Sequence, residues 1–488
     1  MVSPPSHEPP RAPPMIHPTA SEPPPQYAVP STPLEPFVSP VSKEEWQVAD
    51  AYLADTVVPA VLAASTVDEK HHILCSGVYS YFSGKYGTRS SKPFRRRKHK
   101  RNQGDGSSEL RLKRNKARQQ LRKAKRSSKD PQVIQDLANT FHYYLRQFSK
   151  AKKAERKSLQ ECNHLRARRD CAKKFWKFAA QTLDHNKEDI QPAFQKEVAE
   201  EFFATSYSSE PRVFHQPPWL PTAPSPEEPF NSEDISVAEI QRAIVKSKQQ
   251  SSPGPFDQIS YRVFKQCPSL TTALADLFSM CWRQGRVPMG WKHGAIRLIP
   301  KANARDNPDT PSNFRPIALT SCVGKLFTTL LKNRWLSFMV SNGYLNTSVQ
   351  KAFLPGVPGC LEQYTKLLAA ITEAHKNHRS LTVCWLDLAN AYGSVHHGLI
   401  DYALQHYHAP PCFRKVVSHL YTDLSATIAS ASWTTKPIPL QVGVYQGDPL
   451  SVVVFNTVMA TLVDALKADS SLGYIHWQVQ VNECSPVC

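Results

Sequence analysis

The run Ala295-Ile296-Arg297-Leu298-Ile299-Pro300-Lys301 reads as a strand ending in a lysine, and Asn313-Phe314-Arg315-Pro316-Ile317-Ala318-Leu319 follows, placing an arginine just before a proline-rigidified turn. A guanidinium grips phosphate oxygens in bidentate fashion while an ammonium acts as a point charge, so Lys301 and Arg315 on neighbouring turns suit a triphosphate. Either residue alone at a strand end is more simply a solvated charge.

From Leu381 the chain continues Thr-Val-Cys-Trp-Leu-Asp-Leu, an apolar β run interrupted by one carboxylate, Asp387, and then Ala389-Asn390-Ala391-Tyr392-Gly393-Ser394-Val395 leads toward a helix. A carboxylate inside an apolar strand is costly unless paired or bound to a cation. Magnesium takes hard oxygen ligands, commonly one or two carboxylates with phosphate oxygens, which Asp387 could supply. The competing reading turns Asp387 to solvent or makes it a cap of the next helix. Tyr392, five residues on, is expected over the same pocket.

The third stretch is Pro439-Leu440-Gln441-Val442-Gly443-Val444-Tyr445-Gln446-Gly447-Asp448-Pro449-Leu450, followed by an apolar helical run to about Leu466. Asp448 before Pro449 is an N-cap with proline at the first helical position, so its expected job is structural. Gly447 allows close backbone approach, and a helix N-terminus favours anionic or polar groups nearby.

Together with Ser252-Pro253-Gly254-Pro255-Phe256-Asp257, these stretches read SPGPFD, AIRLIPK, NFRPIAL, WLDLANAYGSVHH and GVYQGDPLSVVVFN in chain order. In order and approximate separation they resemble the successive motifs of reverse transcriptases from non-LTR (LINE-like) retrotransposons, over roughly 234–466. The resemblance implies an RNA-directed DNA polymerase using RNA template, DNA primer, dNTPs and Mg2+. It matches Lys301 and Arg315 to the residues that hold the incoming triphosphate, and Asp387, assisted by the Leu388 carbonyl, to the first metal-binding site. Tyr392 matches the aromatic gate under the deoxyribose, and Gln446 and Gly447 match the loop that touches nucleotide and template. Gly393 stands where the family often has an acid, a change expected to be tolerated.

In that family the chain goes on into a β hairpin bearing two adjacent aspartates, and then a thumb. Here it runs Ser471-Leu472-Gly473-Tyr474-Ile475-His476-Trp477 to Cys488 with no Asp-Asp pair. Two-metal transfer holds its ions roughly 3.5–4 Å apart, which one aspartate cannot do. The expectation is therefore a C-terminally truncated polymerase with no useful extension by this chain alone. A non-catalytic RNA-binding remnant is the competing class. A third reading is a gene cut by a frameshift or false splice site, for which an Asp-Asp hairpin in another frame of the downstream DNA would be the signature.

The elements around these motifs divide the chain. Residues 1–42 are proline-rich, as at Pro23-Pro24-Pro25, and are expected to be disordered, as a linker or as a polyproline recruitment segment. Residues 43–90 carry two helical patterns, the second opened by Thr66 with Glu69 as a capping box, and suggest a small helical hairpin. Residues 91–130 are dominated by lysine and arginine, including Arg95-Arg96-Arg97-Lys98-His99-Lys100-Arg101, and are expected to stay extended through charge repulsion. That run reads as a phosphate-binding arm, as a nuclear localisation patch within 95–126, or as a solvated charged surface.

Residues 131–215 are a helix-compatible basic region in which Phe141, Tyr144 and Phe148 read as the buried stripe of a helix packed on a neighbour, with base stacking the alternative, as for Phe175, Trp176 and Phe178. A proline-rich linker spans 216–232. The fingers and palm (partial) run 233–468, opened by a Ser236/Glu239 capping box with Val237, Ile240 and Ile244 on one helix face, and an atypical tail covers 469–488. The fold class is α+β, a right-hand polymerase fingers and palm with an antiparallel sheet whose edge beside Asp387 is unpaired.

Composition fits this division. The 488 residues carry a formal charge of +19, which points to a polyanionic partner, and 41% hydrophobic content allows a substantial core. The eleven cysteines show no CxxC pair and no paired Cys/His zinc spacing, so they read as reduced thiols in an intracellular, nuclear or cytoplasmic protein. No leader and no run of roughly 18 apolar residues is present, so no membrane partner is expected.

Overall fold

The computed structural model describes residues 33–89, 105–127, 130–173 and 190–468, apart from 211, 219, 249, 250, 353, 355, 356 and 358. The proline-rich stretch up to 32, the densest basic cluster at 95–101, the aromatics Phe175, Trp176 and Phe178, and the tail 469–488 lie outside the described residues. The chain separates into two units, one made of residues 1–91 with 190–488 and the other of residues 92–189.

The second unit is a helical hairpin. Its helices are α4 (Asp105–Arg126) and α5 (Pro131–Lys173). Extended backbone was expected for 91–130, yet 105–126 is helical. Leucine, alanine, glutamine, lysine and arginine are all strong helix formers, and Leu110, Ala117, Leu121 and Ala124 fall at heptad-like spacing. Ala117 and Ala124 are buried while most of the lysines and arginines face solvent, so repulsion is relieved by water and not by unwinding. Phe141, Tyr144 and Phe148 lie half-buried on the α5 stripe, and the Arg114 guanidinium sits 4.5 Å from the Phe148 ring.

In the first unit, α1 (Lys43–Tyr52), a π turn (Leu53–Val57), α2 (Val58–Ala63) and α3 (Val67–Tyr86) pack directly on the core built by the later elements of that unit. Lys70 of α3 is buried with its ammonium 2.6 Å from Asp276, and it donates to the Val61 and Leu62 carbonyls. Asp68 accepts from the Met289 amide at 2.7 Å, and Asp50 accepts from the Ser269 hydroxyl at 2.5 Å. Residues 33–42, read as part of a disordered tail, are held too, because Phe37 is buried and stacks on Phe82 at 5.0 Å. One aromatic anchor outweighs the proline content of its neighbours.

The core continues with α6 (Lys196–Tyr207), α7 (Val237–Lys246), α8 (Tyr261–Gln266), α9 (Leu270–Gln284), α10 (Met289–Lys292) and α11 (Cys322–Ser341), then α12 (Cys360–Lys376), α13 (His397–His406), α14 (Pro411–Tyr421) and α15 (Pro449–Ala468). The Ser236/Glu239 capping box opens α7, and Arg334 of α11 reaches the same Glu239 carboxylate at 2.8 Å, fastening the two helices. Ile240 and Ile244 are buried, whereas Val237 is exposed.

Strands β1 (His293–Pro300), β2 (Phe314–Leu319), β3 (Ser425–Ala429) and β4 (Ile438–Pro439) form one sheet in the order β2-β1-β3-β4. The expected sheet was antiparallel. The observed one is mixed, since β1 and β3 run parallel, joined by helices that cross over between them. Helix α15 is long and apolar enough to span a membrane by composition, and its apolarity has a local cause: Leu450, Val453, Val454 and Ala460 are buried in the core, and Thr457 accepts from the Trp335 indole at 2.9 Å.

Candidate nucleotide and nucleic-acid site

Strand β2 pairs antiparallel with β1, Ile299 opposite Arg315 and Leu298 opposite Pro316. The stretch read as a turn is thus an edge strand, and an edge tolerates Pro316 because its missing N–H faces no partner strand. Lys301 follows β1, its amide donating to the Asn313 carbonyl at 2.9 Å and its ammonium to the Ser312 carbonyl at 2.8 Å. Side chains alternate along a strand, so Arg297, Ile299 and Lys301 share a face with Arg315 across the ladder. All four are exposed. The sequence reading missed Arg297, although its period-two spacing with Lys301 was the available signal.

The loop 443–448 lies along the free edge of β2. Ala318 donates to the Gln446 carbonyl at 2.7 Å, and a Cβ on Gly447 would stand 2.6 Å from the Ala318 oxygen. With φ of +123°, only glycine fits there easily. This places Gln446 and Gly447 beside the strand that carries Arg315.

Tyr392 joins the same assembly through its backbone. Val444 donates to the Tyr392 carbonyl at 2.8 Å and Gly443 to the Val395 carbonyl at 2.8 Å. The Tyr392 ring stacks on Phe455 of α15 at 5.0 Å and 9°. A Cβ on Gly443 would meet the Gly393 backbone within 2.8–3.0 Å, and one on Gly393 would strike the Asn390 amide group. The glycine at 393 is therefore accommodated by close packing of the two loops. His397 is bonded to the Gly443 carbonyl at 2.8 Å, and His396 caps α13 through its ring nitrogen, so this histidine pair serves the loop junction.

Asp448 accepts from the Leu450 and Ser451 amides and from the Thr328 hydroxyl at 2.9 Å, the N-cap role read from the sequence. Burial pushes its carboxyl above the ordinary range, with those hydrogen bonds pulling the other way.

Asp387 is the residue that the structure does not bring in. Residues 381–388 form no strand, and each is exposed, including Trp385 at 79% and Leu386 at 75%. Among the described residues no hydrogen bond or ion pair involves the Asp387 carboxylate, and Leu388 lies on the same exposed segment. The β run read there lacks a ladder partner, without which backbone groups turn to water.

Two further features were not legible. Tyr207 at the end of α6 accepts through its carbonyl from Gln441 and Val442, so a helix assigned to the upstream region helps to hold the 439–448 loop. Helices α7 and α11 flank an open groove of about 1300 Å³ lined by Arg242, Lys246, Lys248 and Lys332 together with Glu228 and Glu239, the latter paired with Arg334. Burial, and then the charge of Lys246, lower the Lys332 ammonium below its ordinary range, as expected of two cations sharing a concave wall.

Residues 299–478 match the reverse transcriptase (RNA-dependent DNA polymerase) family, a match that runs past Leu466 into the stretch read as an atypical tail. A retrovirus-related Pol polyprotein from the type-2 retrotransposable element R2DM of Drosophila melanogaster is 29% identical over 225 residues, which is 45% of this chain and 20% of that protein. A Pol polyprotein from the element R2 of Nasonia vitripennis is 30% identical over 234 residues, 48% of this chain and 21% of its own length. A probable RNA-directed DNA polymerase from transposon BS of Drosophila melanogaster is 27% identical over 230 residues, 47% and 25% of the two chains. The chain spans about a fifth to a quarter of the length of these relatives. Over the matched stretch the chain is similar to the reverse transcriptases of non-LTR retrotransposons.

Proposed function

We propose that residues 233–468 bind an incoming dNTP and an RNA template as the fingers and part of the palm of an RNA-directed DNA polymerase. The observation that carries this reading is the junction of β2 with the 443–448 loop, which sets Gln446 and Gly447 beside the exposed cations Arg297, Lys301 and Arg315. Arg315 and Arg297 grip triphosphate oxygens, Lys301 exchanges its Ser312 carbonyl for a phosphate, and Tyr392 stacks below the sugar. The lysine-rich groove between α7 and α11 and the basic face of α4 take RNA phosphates, with affinity that falls as salt rises. Through the same basic residues the chain reaches RNA in nucleus or cytoplasm.

Reverse-transcriptase domains work with divalent metal ions, and Mg2+ is the proposed one. Asp387 and the Leu388 carbonyl are hard oxygen donors of the right kind but too few, because a two-ion site needs further carboxylates. Among the described residues no group of three acidic or imidazole side chains gathers around Asp387, and Asp448 is engaged in its cap. These 488 residues contain no adjacent aspartate pair. No transfer step is therefore assigned through the metal, and these 488 residues by themselves are proposed to bind RNA and dNTP without extending a primer.

Primer extension on an RNA template, run beside Asp387→Ala, tests this together with RNA binding at several salt concentrations. Salt-sensitive binding unaffected by Asp387→Ala, with no extension, is the expected result. Extension abolished by Asp387→Ala would overturn the non-extending reading, and absence of RNA binding would overturn the function itself. The competing reading, a purely RNA-binding remnant, predicts that Arg315→Ala leaves all measurable binding unchanged, whereas the proposed site predicts loss of dNTP binding.

A further inference from the structure

Away from the nucleotide face, three side chains of different donor type converge where α3 meets the core. His71 and Cys75 stand one helical turn apart on α3 and so share a face, with the ring Nε2 3.3 Å from the sulfur. Asp257, from the loop before α8, brings its carboxylate to the same point, and one donor atom from each of the three lies within 4.8 Å of the other two. Cys322, at the first position of α11 and buried, stands outside that group, its thiol on the Ser252 carbonyl at 3.6 Å.

The surroundings hold these donors in place. Asp257 is buried, its Oδ2 accepting from the Ser321 hydroxyl at 2.6 Å and its Oδ1 from the Ile259 amide at 2.9 Å. Gly254 makes room for that carboxylate, since a Cβ there would stand 2.3 Å from Oδ1. The His71 ring packs edge-on against Trp291 at 5.8 Å, and Gly290 leaves space for its Cε1. Ligating carboxylates are ordinarily oriented by outer hydrogen bonds of the Ser321 and Ile259 kind, and each carboxylate oxygen keeps a further lone pair for a cation.

We infer that His71, Cys75 and Asp257, with water as the fourth ligand, form a site for a zinc-class divalent ion that fastens the N-terminal helices to the rest of the first unit. An imidazole, a thiolate and a carboxylate suit Zn2+, whereas Mg2+ takes oxygen donors, so this site is chemically separate from Asp387. Bond lengths of roughly 2.0–2.3 Å place tetrahedral ligand atoms about 3.3–3.8 Å apart. The His71–Cys75 spacing already meets this, and Asp257, within 4.8 Å of both, reaches it by a small side-chain rotation. No CxxC signature announces the site because its donors come from two separated segments. A dry core contact, with the thiol merely hydrogen-bonded to the ring, is the alternative.

The test uses the full chain purified under reducing, chelator-free conditions, with bound metal counted by mass spectrometry and the chelator-stripped protein titrated with Co2+. One zinc-class ion per chain is expected, with a near-ultraviolet thiolate-to-cobalt band and strong visible bands of four-coordinate Co2+. Cys75→Ser should abolish the charge-transfer band or weaken it sharply, and Ser321→Ala, which removes the outer partner of Asp257 together with the side-chain cap on the Val323 amide, should weaken binding by about 10- to 100-fold. Should Cys75→Ser fail to fold by circular dichroism, Ser321→Ala carries the comparison. A folded wild-type chain that shows no thiolate band, or binding that neither variant changes, would overturn the site.

Discussion

Residues 295–300 and 381–386 are two short β-prone runs, each followed at once by a charged residue proposed for the same chemistry, yet only the first is a strand. β1 lies between β2 and β3, so its backbone groups are paired on both sides and Ala295 and Ile296 are buried. The second run has valine, tryptophan and threonine, an equally good β composition, and stands open. Helix α12, just before it, shows an uncovered stripe of its own, with Leu361 at 71% and Tyr364 at 63% exposure, and still forms. A helix closes its hydrogen bonds within itself, while a strand borrows them from a neighbour. β composition states a preference, and only a ladder partner realises it.

The largest effect should come from breaking the supported side. Phe314 is buried and meets Phe194 edge-on at 5.7 Å, so Phe314→Ala should cost about 3–5 kcal/mol, read as a lowered urea midpoint of the first unit. An effect as small as that of an exposed residue would show that the β1–β2 ladder is not the supported region described above.

Gly443 comes next, because it joins the supported sheet to the loop that leads back toward the open segment. Its φ is +93° and an added Cβ would collide with the Gly393 backbone. Gly443→Ala should cost roughly 1–3 kcal/mol and displace Tyr392, weakening dNTP binding more than RNA binding. Equal loss of both would mean that the loop junction does not position the nucleotide.

A smaller, pH-dependent effect should come from Asp448. Burial raises its folded-state pKa, so the protonated form is favoured in the fold relative to the unfolded chain. The associated stability is present below the ordinary aspartate range, near 3.9, and is lost as pH rises through the raised value. Asp448→Asn keeps a good N-cap without the charge. The urea midpoint of wild type relative to this variant should therefore fall as pH rises through that window. A rising difference would mean that the Thr328 and backbone hydrogen bonds outweigh burial.

What could be read from the sequence followed the range of the interaction. The Ser236/Glu239 box, the Asp448 cap, the strand before Lys301 and the α5 stripe all depend on residues a few positions apart, and each is where its pattern put it. The Thr66 cap forms by half, since Glu69 turns to the Ser65 amide. Unreadable features depend on distant partners: the parallel β1–β3 pairing, the grip of Tyr207 on the 439–448 loop, and the fusion of residues 43–87 with the core through Lys70 and Asp276. Of the candidate site, the residue types were legible and their assembly only in part. Lys301, Arg315, Gln446, Gly447 and the Tyr392 backbone come together around β2, and Asp387 does not.

The smallest change should come from the open run. Trp385→Ser removes a large side chain that is 79% exposed and touches no ring among the described residues, so its effect on the urea midpoint should stay within about 0.5 kcal/mol. Exposed β-prone apolar segments template pairing between chains, so the same substitution should raise the concentration at which the protein stays monodisperse in light scattering. Stability lost at the level expected for Phe314→Ala would mean that residues 381–388 are covered in solution, and the contrast between the two runs would then lie in which partner supplies the ladder and not in whether one does.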